Sequence, residues 1–168
     1  MILAVVVGKS WAGTSDTTTV SVTPNVTYAV QITSPVAGGY DFQTVNLGAT
    51  TVSTLAIDVR NAGNVAEYFG LAISNTSGSW APGVTPDTDT FRMIGYFNAT
   101  EPSTSTFVTG DALTTSVGSG QNKFGQGTNK TLANTHANLW LRLDMPTALN
   151  VGTTATQTMT LTVNGQSS

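Results

Sequence analysis

The sequence predicts an all-β fold: an antiparallel β-sandwich of jelly-roll or immunoglobulin-like build, with about 8–10 short strands. Three observations lead there. Apolar residues alternate with polar ones at period two in segment after segment, the spacing of a half-buried strand. Gly, Pro, Asn and Ser clusters interrupt these segments about every 8–12 residues. Nowhere do apolar residues recur at helical spacing over a helix-sized window. The composition agrees. Of 168 residues, 31 are Thr, 14 Ser and 17 Gly, and 39% are apolar, enough for a core at this length.

Taken in order, the chain opens on Met1-Ile2-Leu3-Ala4-Val5-Val6-Val7. This run is far shorter than the roughly 20 residues that span a bilayer, so no membrane span is expected. As a secretion signal it lacks a basic leader, and Ser10-Trp11-Ala12 is a poor cleavage site. Its β-branched valines favour an extended chain. Unbroken apolar character asks for cover on both faces. Either the chain's own sandwich or a neighbouring molecule can supply that cover. Residues 8–16 are small and polar around Trp11 and read as a hinge or loop.

Residues 18–23 alternate and are stopped by Pro24. In residues 26–32, Val26, Tyr28, Val30 and Ile32 face one way. Phe42, Val45 and Leu47 lead to Gly48. A long strand over residues 51–61 puts Leu55, Ile57 and Val59 on one face and Ala56, Asp58 and Arg60 on the other. Asn61-Ala62-Gly63-Asn64 is a tight reversal, because Asn and Gly accept positive φ, and residues 68–73 form its hairpin partner. Residues 91–97 are the next strand, and residues 106–109 and 112–117 are short candidates. Residues 118–131, rich in Gly, Asn and Gln, read as an exposed excursion around Phe124. In residues 138–145, Leu139, Leu141 and Leu143 oppose Trp140, Arg142 and Asp144. Residues 156–163 alternate Thr with Met159, Leu161 and Val163.

Function classes can be excluded from the same sequence. Cysteine is absent, which removes thiol catalysis, Cys-ligated zinc and disulfide staples. Net charge is −3 and the six Lys and Arg are scattered singly, so there is no nucleic-acid footprint. His136 is the only histidine. No nucleophile elbow accompanies it, and it reads as a solvated loop imidazole rather than a general base. Asp87 and Asp89, with Asp111, have the chemistry for calcium but not the spacing of an EF-hand, so a polar turn is the default. Gly118-Ser119-Gly120 lacks the Lys and helix of a phosphate loop. No enzyme, cofactor or metal is expected. Trp11, Trp80 and Trp140 are the candidates for a sugar-binding platform, with burial in a core or interface the simpler reading. Acceptor sequons for N-linked glycans begin at Asn25, Asn75, Asn98 and Asn129, although so Ser- and Thr-rich a chain carries sequons by composition alone.

Leu47-Gly48, the alternation Leu55-Ala56-Ile57-Asp58-Val59, then Asn61-Ala62-Gly63-Asn64, Tyr68-Phe69 and Leu71-Ala72-Ile73 form a recurrent scheme of bacterial and archaeal surface sandwiches. Residues 42–74 and 138–166 resemble the TasA/camelysin-type biofilm fibre proteins and the archaeal bundling-pilus subunits. The scarcity of charge sets the chain apart from the Lys- and Asp-rich bacterial matrix proteins and favours the archaeal filament side. The resemblance implies an extracellular, cell-surface filament subunit whose N-terminal extension completes the sandwich of the next copy. On that reading residues 1–16 are donor strand and hinge and residues 17–168 the sandwich. Ile2, Leu3, Val5, Val6 and Val7 form the subunit interface, and copies of the same chain, with attached glycans, are the partners. Burying five such side chains contributes about 8–15 kcal/mol before entropy costs. A surface adhesin or carbohydrate-binding sandwich, or a viral or phage jelly-roll structural protein, is the alternative.

Overall fold

Strand β7 (His136–Asp144) shows how the alternation is used. Leu139, Leu141 and Leu143 turn inward and are at most 4% exposed, while Trp140, Arg142 and Asp144 turn to the other face. A computed structural model describes residues 18–35, 39–150 and 155–167, and the fold it shows is all-β, sandwich-like, with sheets curled into a half-barrel. The apolar segment of residues 1–7 and its hinge lie outside the described residues.

Around β7 the larger sheet is built in the order β1 (Val30–Ser34), β3 (Ile57–Asn61), β7, β6 (Thr90–Phe97) and β5 (Ala81–Pro82), with β2 (Thr50–Val52) also pairing β7. All pairings are antiparallel except β5 with β6, which is parallel, so the sheet is mixed rather than purely antiparallel. The second layer is the long antiparallel pair β4 (Tyr68–Ser77) and β8 (Thr158–Gln166). Ile57 and Val59, Phe91, Met93 and Phe97, and the three β7 leucines meet Phe69, Leu71 and Ile73 of β4 across one core. Gly95 of β6 sits in the middle of that contact. A Cβ there would lie 2.5 Å from the Leu71 Cδ1 and 3.3 Å from the Leu139 Cδ1, so the missing side chain lets the layers close.

Three sequence expectations are corrected. The strand expected over residues 51–61 is two strands. Val52 pairs Arg142 and Ile57 pairs Leu139, so five steps on one side run against three on β7 and two residues are extra. Ser53 holds the break: its N–H donates to the Leu141 carbonyl at 2.7 Å and its Oγ accepts the Leu141 N–H at 3.0 Å. An even number of extra residues preserves the alternation, so Ile57 and Val59 face inward as expected, but Leu55 lies in the bulge and is 70% exposed.

Second, β3 and β4 are not a hairpin; they belong to different layers. The Asn61 side chain is buried and donates to the Val65 and Thr131 carbonyls while accepting the Gly63 N–H, which carries the chain across from one sheet to the other.

Third, the excursion is exposed over most of its length, as expected, but it is anchored in the core by buried Phe124 and Gln126. Phe124 is 2% exposed within the core. The Asp111 carboxylate accepts its N–H at 2.8 Å, and its carbonyl accepts the Phe97 N–H. Among the described residues, residues 18–23, 42–47 and 112–117 form no strand, and residues 106–109 run from the end of one short 3-10 turn, Thr104–Thr106, to the start of another, Thr109–Asp111.

Gly95→Val is expected to destabilise the fold by about 1–3 kcal/mol, because the added methyls overpack a filled contact. Urea unfolding monitored by tryptophan fluorescence reads this directly, and an unchanged midpoint would contradict the packing described.

Candidate functional site: the open edge of the smaller sheet

A strand has two edges, and the backbone groups on each need partners. In the two-stranded layer, β4 and β8 satisfy one edge of each other. The outer edge of β4 is closed from its own chain. Ile73 donates to the Thr114 carbonyl, Gly118 donates to the Leu71 carbonyl, and Glu67 and Thr131 exchange backbone bonds. Between these, the buried Gln126 amide stands in for a strand. Its Oε1 accepts the Phe69 N–H at 2.8 Å, and its Nε2 donates to the Phe69 carbonyl at 2.8 Å. The Gly-rich excursion is therefore a cover for one sheet edge.

The outer edge of β8 has no such cover. Among the described residues, nothing pairs with residues 159–165 from that side. Met159, Leu161 and Val163 face the core but are only half-buried, while Thr160 and Thr162 are exposed. Strand β1 is the free edge of the larger sheet and comes close to β8 without a ladder between them. On β1, Val30 packs against the core and Ile32 is 36% exposed. The half-barrel is thus open along a seam between β1 and β8, lined by half-covered aliphatic side chains and unpaired backbone.

Glu67 lies at one end of this region. It is fully buried, both carboxylate oxygens lack a hydrogen-bond partner, and the group packs so closely on Gly165 of β8 that any side chain there would overlap it. Burial pushes its pKa above the ordinary value of 4.5, against a weaker opposing pull from the Ala29 amide, which lies short of hydrogen-bond geometry.

The other sequence candidates disperse. His136 Nδ1 meets both Asp58 oxygens at 2.9 and 3.0 Å, and Thr33 Oγ1 donates to Asp58 Oδ2 at 2.7 Å. This is a link across β1, β3 and β7, with the carboxylate between imidazole and hydroxyl. Asp87 accepts the Thr88 N–H, Asp89 accepts the Asn150 N–H, and Asp111 is committed to Phe124. The three carboxylates serve separate turns, and no group of three potential metal ligands occurs among the described residues.

Trp140 is 9% exposed in a small second core with Ile94 and Phe107, its Nε1 donating to the Asn98 carbonyl at 3.0 Å. Trp80 packs against the main core. Neither forms a platform. Asn25, Asn98 and Asn129 are exposed and Asn75 is half-buried; a glycan on Asn75 would displace its bond to the Trp80 carbonyl, and one on Asn98 its bond to the Thr100 carbonyl. Asp144, 3% exposed, accepts from Arg92 at 2.6 Å, Arg142 at 2.9 Å and Thr50 at 2.7 Å. Burial raises its pKa, but the hydrogen bonds from Thr50, Arg92 and Arg142, with the attraction of the Arg142 charge, outweigh that and hold it below the usual value. It is a clamp between β2, β6 and β7.

The open edge was missed by sequence reasoning. Alternation places Met159, Leu161 and Val163 on a face but does not reveal which edge of the strand is paired. No helix among the described residues is long and apolar enough to cross a membrane. Comparison with known proteins returns no matching family, no matching characterised protein and no matching solved structure.

Because the folded state holds the Glu67 proton more tightly than the unfolded chain, its contribution to stability is complete below pH 4.5 and is lost as pH rises through the raised folded pKa. Glu67→Gln is expected to flatten this decline, matching the parent near pH 4 and exceeding it at pH 7 in thermal melts. A parent melting temperature that rises with pH across that interval would overturn the assignment.

Proposed function

We propose that this chain is a non-enzymatic structural subunit of an extracellular filament or pilus, and that it polymerises head to tail by giving an N-terminal strand to the sandwich of the next copy. The observation that carries the reading is the unpaired edge of β8 beside its half-covered aliphatic row. A strand laid there satisfies backbone groups and buries alternate side chains. Because the donated strand and the receiving edge are different surfaces, the contact does not close on itself and propagates as a linear polymer. The sequence assigns the donated strand to residues 1–7, with Ile2, Leu3, Val5, Val6 and Val7 at the interface. The likeness of residues 42–74 and 138–166 to the TasA/camelysin and bundling-pilus proteins belongs to the same proposal. So do the cell-surface location, consistent with a chain free of cysteine and only 9% charged, and glycans at the exposed sequons Asn25, Asn98 and Asn129.

The sugar-binding alternative is weakened by the positions of Trp80 and Trp140 in or against the cores. Purified full-length protein is expected to form unbranched filaments in electron micrographs. A chain lacking residues 1–23 is expected to sediment as a folded monomer. Closed shells, or filaments of normal length from the shortened chain, would overturn the reading.

A further inference from the structure

Residues 18–23 read Thr-Thr-Val-Ser-Val-Thr, a strand pattern with no strand partner among the described residues. Val20 is 81% exposed and Val22 84%. Among the described residues, residues 18–24 make no hydrogen bond. The chain is first gripped at Asn25, whose carbonyl accepts the Asn64 Nδ2–H at 2.8 Å, and at Thr27, whose N–H donates to Asn64 Oδ1 at 2.8 Å and whose carbonyl accepts the Asn64 N–H at 3.1 Å. Residues 18–24, the arm, are exposed and belong to no strand.

The arm and the β8 edge lack complementary things. The arm has backbone groups and two valines, spaced i and i+2, with nothing to cover them. The edge has unpaired backbone over residues 159–165 and an inward row of Met159, Leu161 and Val163 at the same period. Six residues of arm fit within the seven of the unpaired edge, residues 159–165. Exposed strand edges are ordinarily kept apart by charged residues and prolines. Here residues 17–40 and 145–168 contain no Lys, Arg, Asp or Glu, and β8 contains no Pro. Neither surface carries a group that would repel the other.

We infer that residues 18–23 of one copy form the strand that seats on the outer edge of β8 in a second copy, with Val20 and Val22 entering the seam beside Leu161 and Val163. The inference rests on the filament reading and moves its donated strand from residues 1–7 to residues 18–23.

The test uses full-length protein and the double variant Val20→Asp/Val22→Asp, followed by sedimentation and by hydrogen exchange at residues 159–165. The variant is expected to stay monomeric with an unchanged melting temperature and with fast exchange at β8. A synthetic peptide of residues 17–24 is then expected to slow that exchange in the variant by tenfold or more, about the level reached in parent filaments, whereas a peptide of residues 1–8 leaves it unchanged. A variant that still forms filaments, or β8 exchange that responds to the 1–8 peptide and not to the 17–24 peptide, overturns the inference and leaves the filament reading standing. Parent protein that never assembles overturns the filament reading, and the peptide measurement still decides on its own whether β8 accepts the arm.

Discussion

Pairing of backbone groups along strand edges is the constraint on which the rest of this structure depends. With so few charges, the protein has little means of discouraging edge contacts by repulsion. It relies on covering edges instead. A loop and one buried amide close β4, while a mixed sheet, with a two-residue parallel strand at one end, closes most of the other layer. Against that background the edges of β8 and β1 left bare among the described residues stand out in a fold that otherwise spends much of its irregular chain on such closure. A side-chain amide can do a strand's work because Gln presents a donor and an acceptor in the same geometry as a peptide.

Polar groups inside the sandwich fall into two kinds. Asn61, Asp111, Gln126 and Asp144 are buried with partners that answer their donors and acceptors, and each joins segments distant in sequence. This costs desolvation but fixes which segments meet. Asp144 shows the balance: two guanidinium groups and a hydroxyl more than offset the cost of its burial. Glu67 is of the other kind. Its burial is offset only weakly, by the Ala29 amide, and neither carboxylate oxygen has a hydrogen-bond partner.

Much of the fold was legible in the sequence. The inward leucines of β7, the aromatic and Met face of β6 and the Thr-alternating pattern of β8 follow from period two alone, since a pleated strand leaves a side chain only two directions. The partners of those strands were not legible. Nothing local in Asn61-Ala62-Gly63-Asn64 distinguishes a hairpin from a crossing between layers, which is decided by Asn61 reaching Thr131, 70 residues away. The bulge after Ser53 was hidden because Leu55 keeps the alternation while its backbone leaves the ladder. Gln126 was invisible for the same reason: its role lies in two bonds to Phe69 that no spacing encodes. Of the candidate site, the apolar row of β8 and the arm's valines could be read, but their exposure could not, because a strand pattern says that cover is needed and not who provides it.

The grip of Asn64 on the chain at Asn25 and Thr27 has a mechanical meaning. Three hydrogen bonds from one residue, joined by the Ala62 N–H on the Ala29 carbonyl, fasten the root of the arm to the turn that follows β3. Tension applied to the arm is therefore passed through this knot into the β1–β3 ladder and the sheet behind it, rather than unravelling the chain from its end. A molecule tugged from that side would load these bonds and the sheet behind them together.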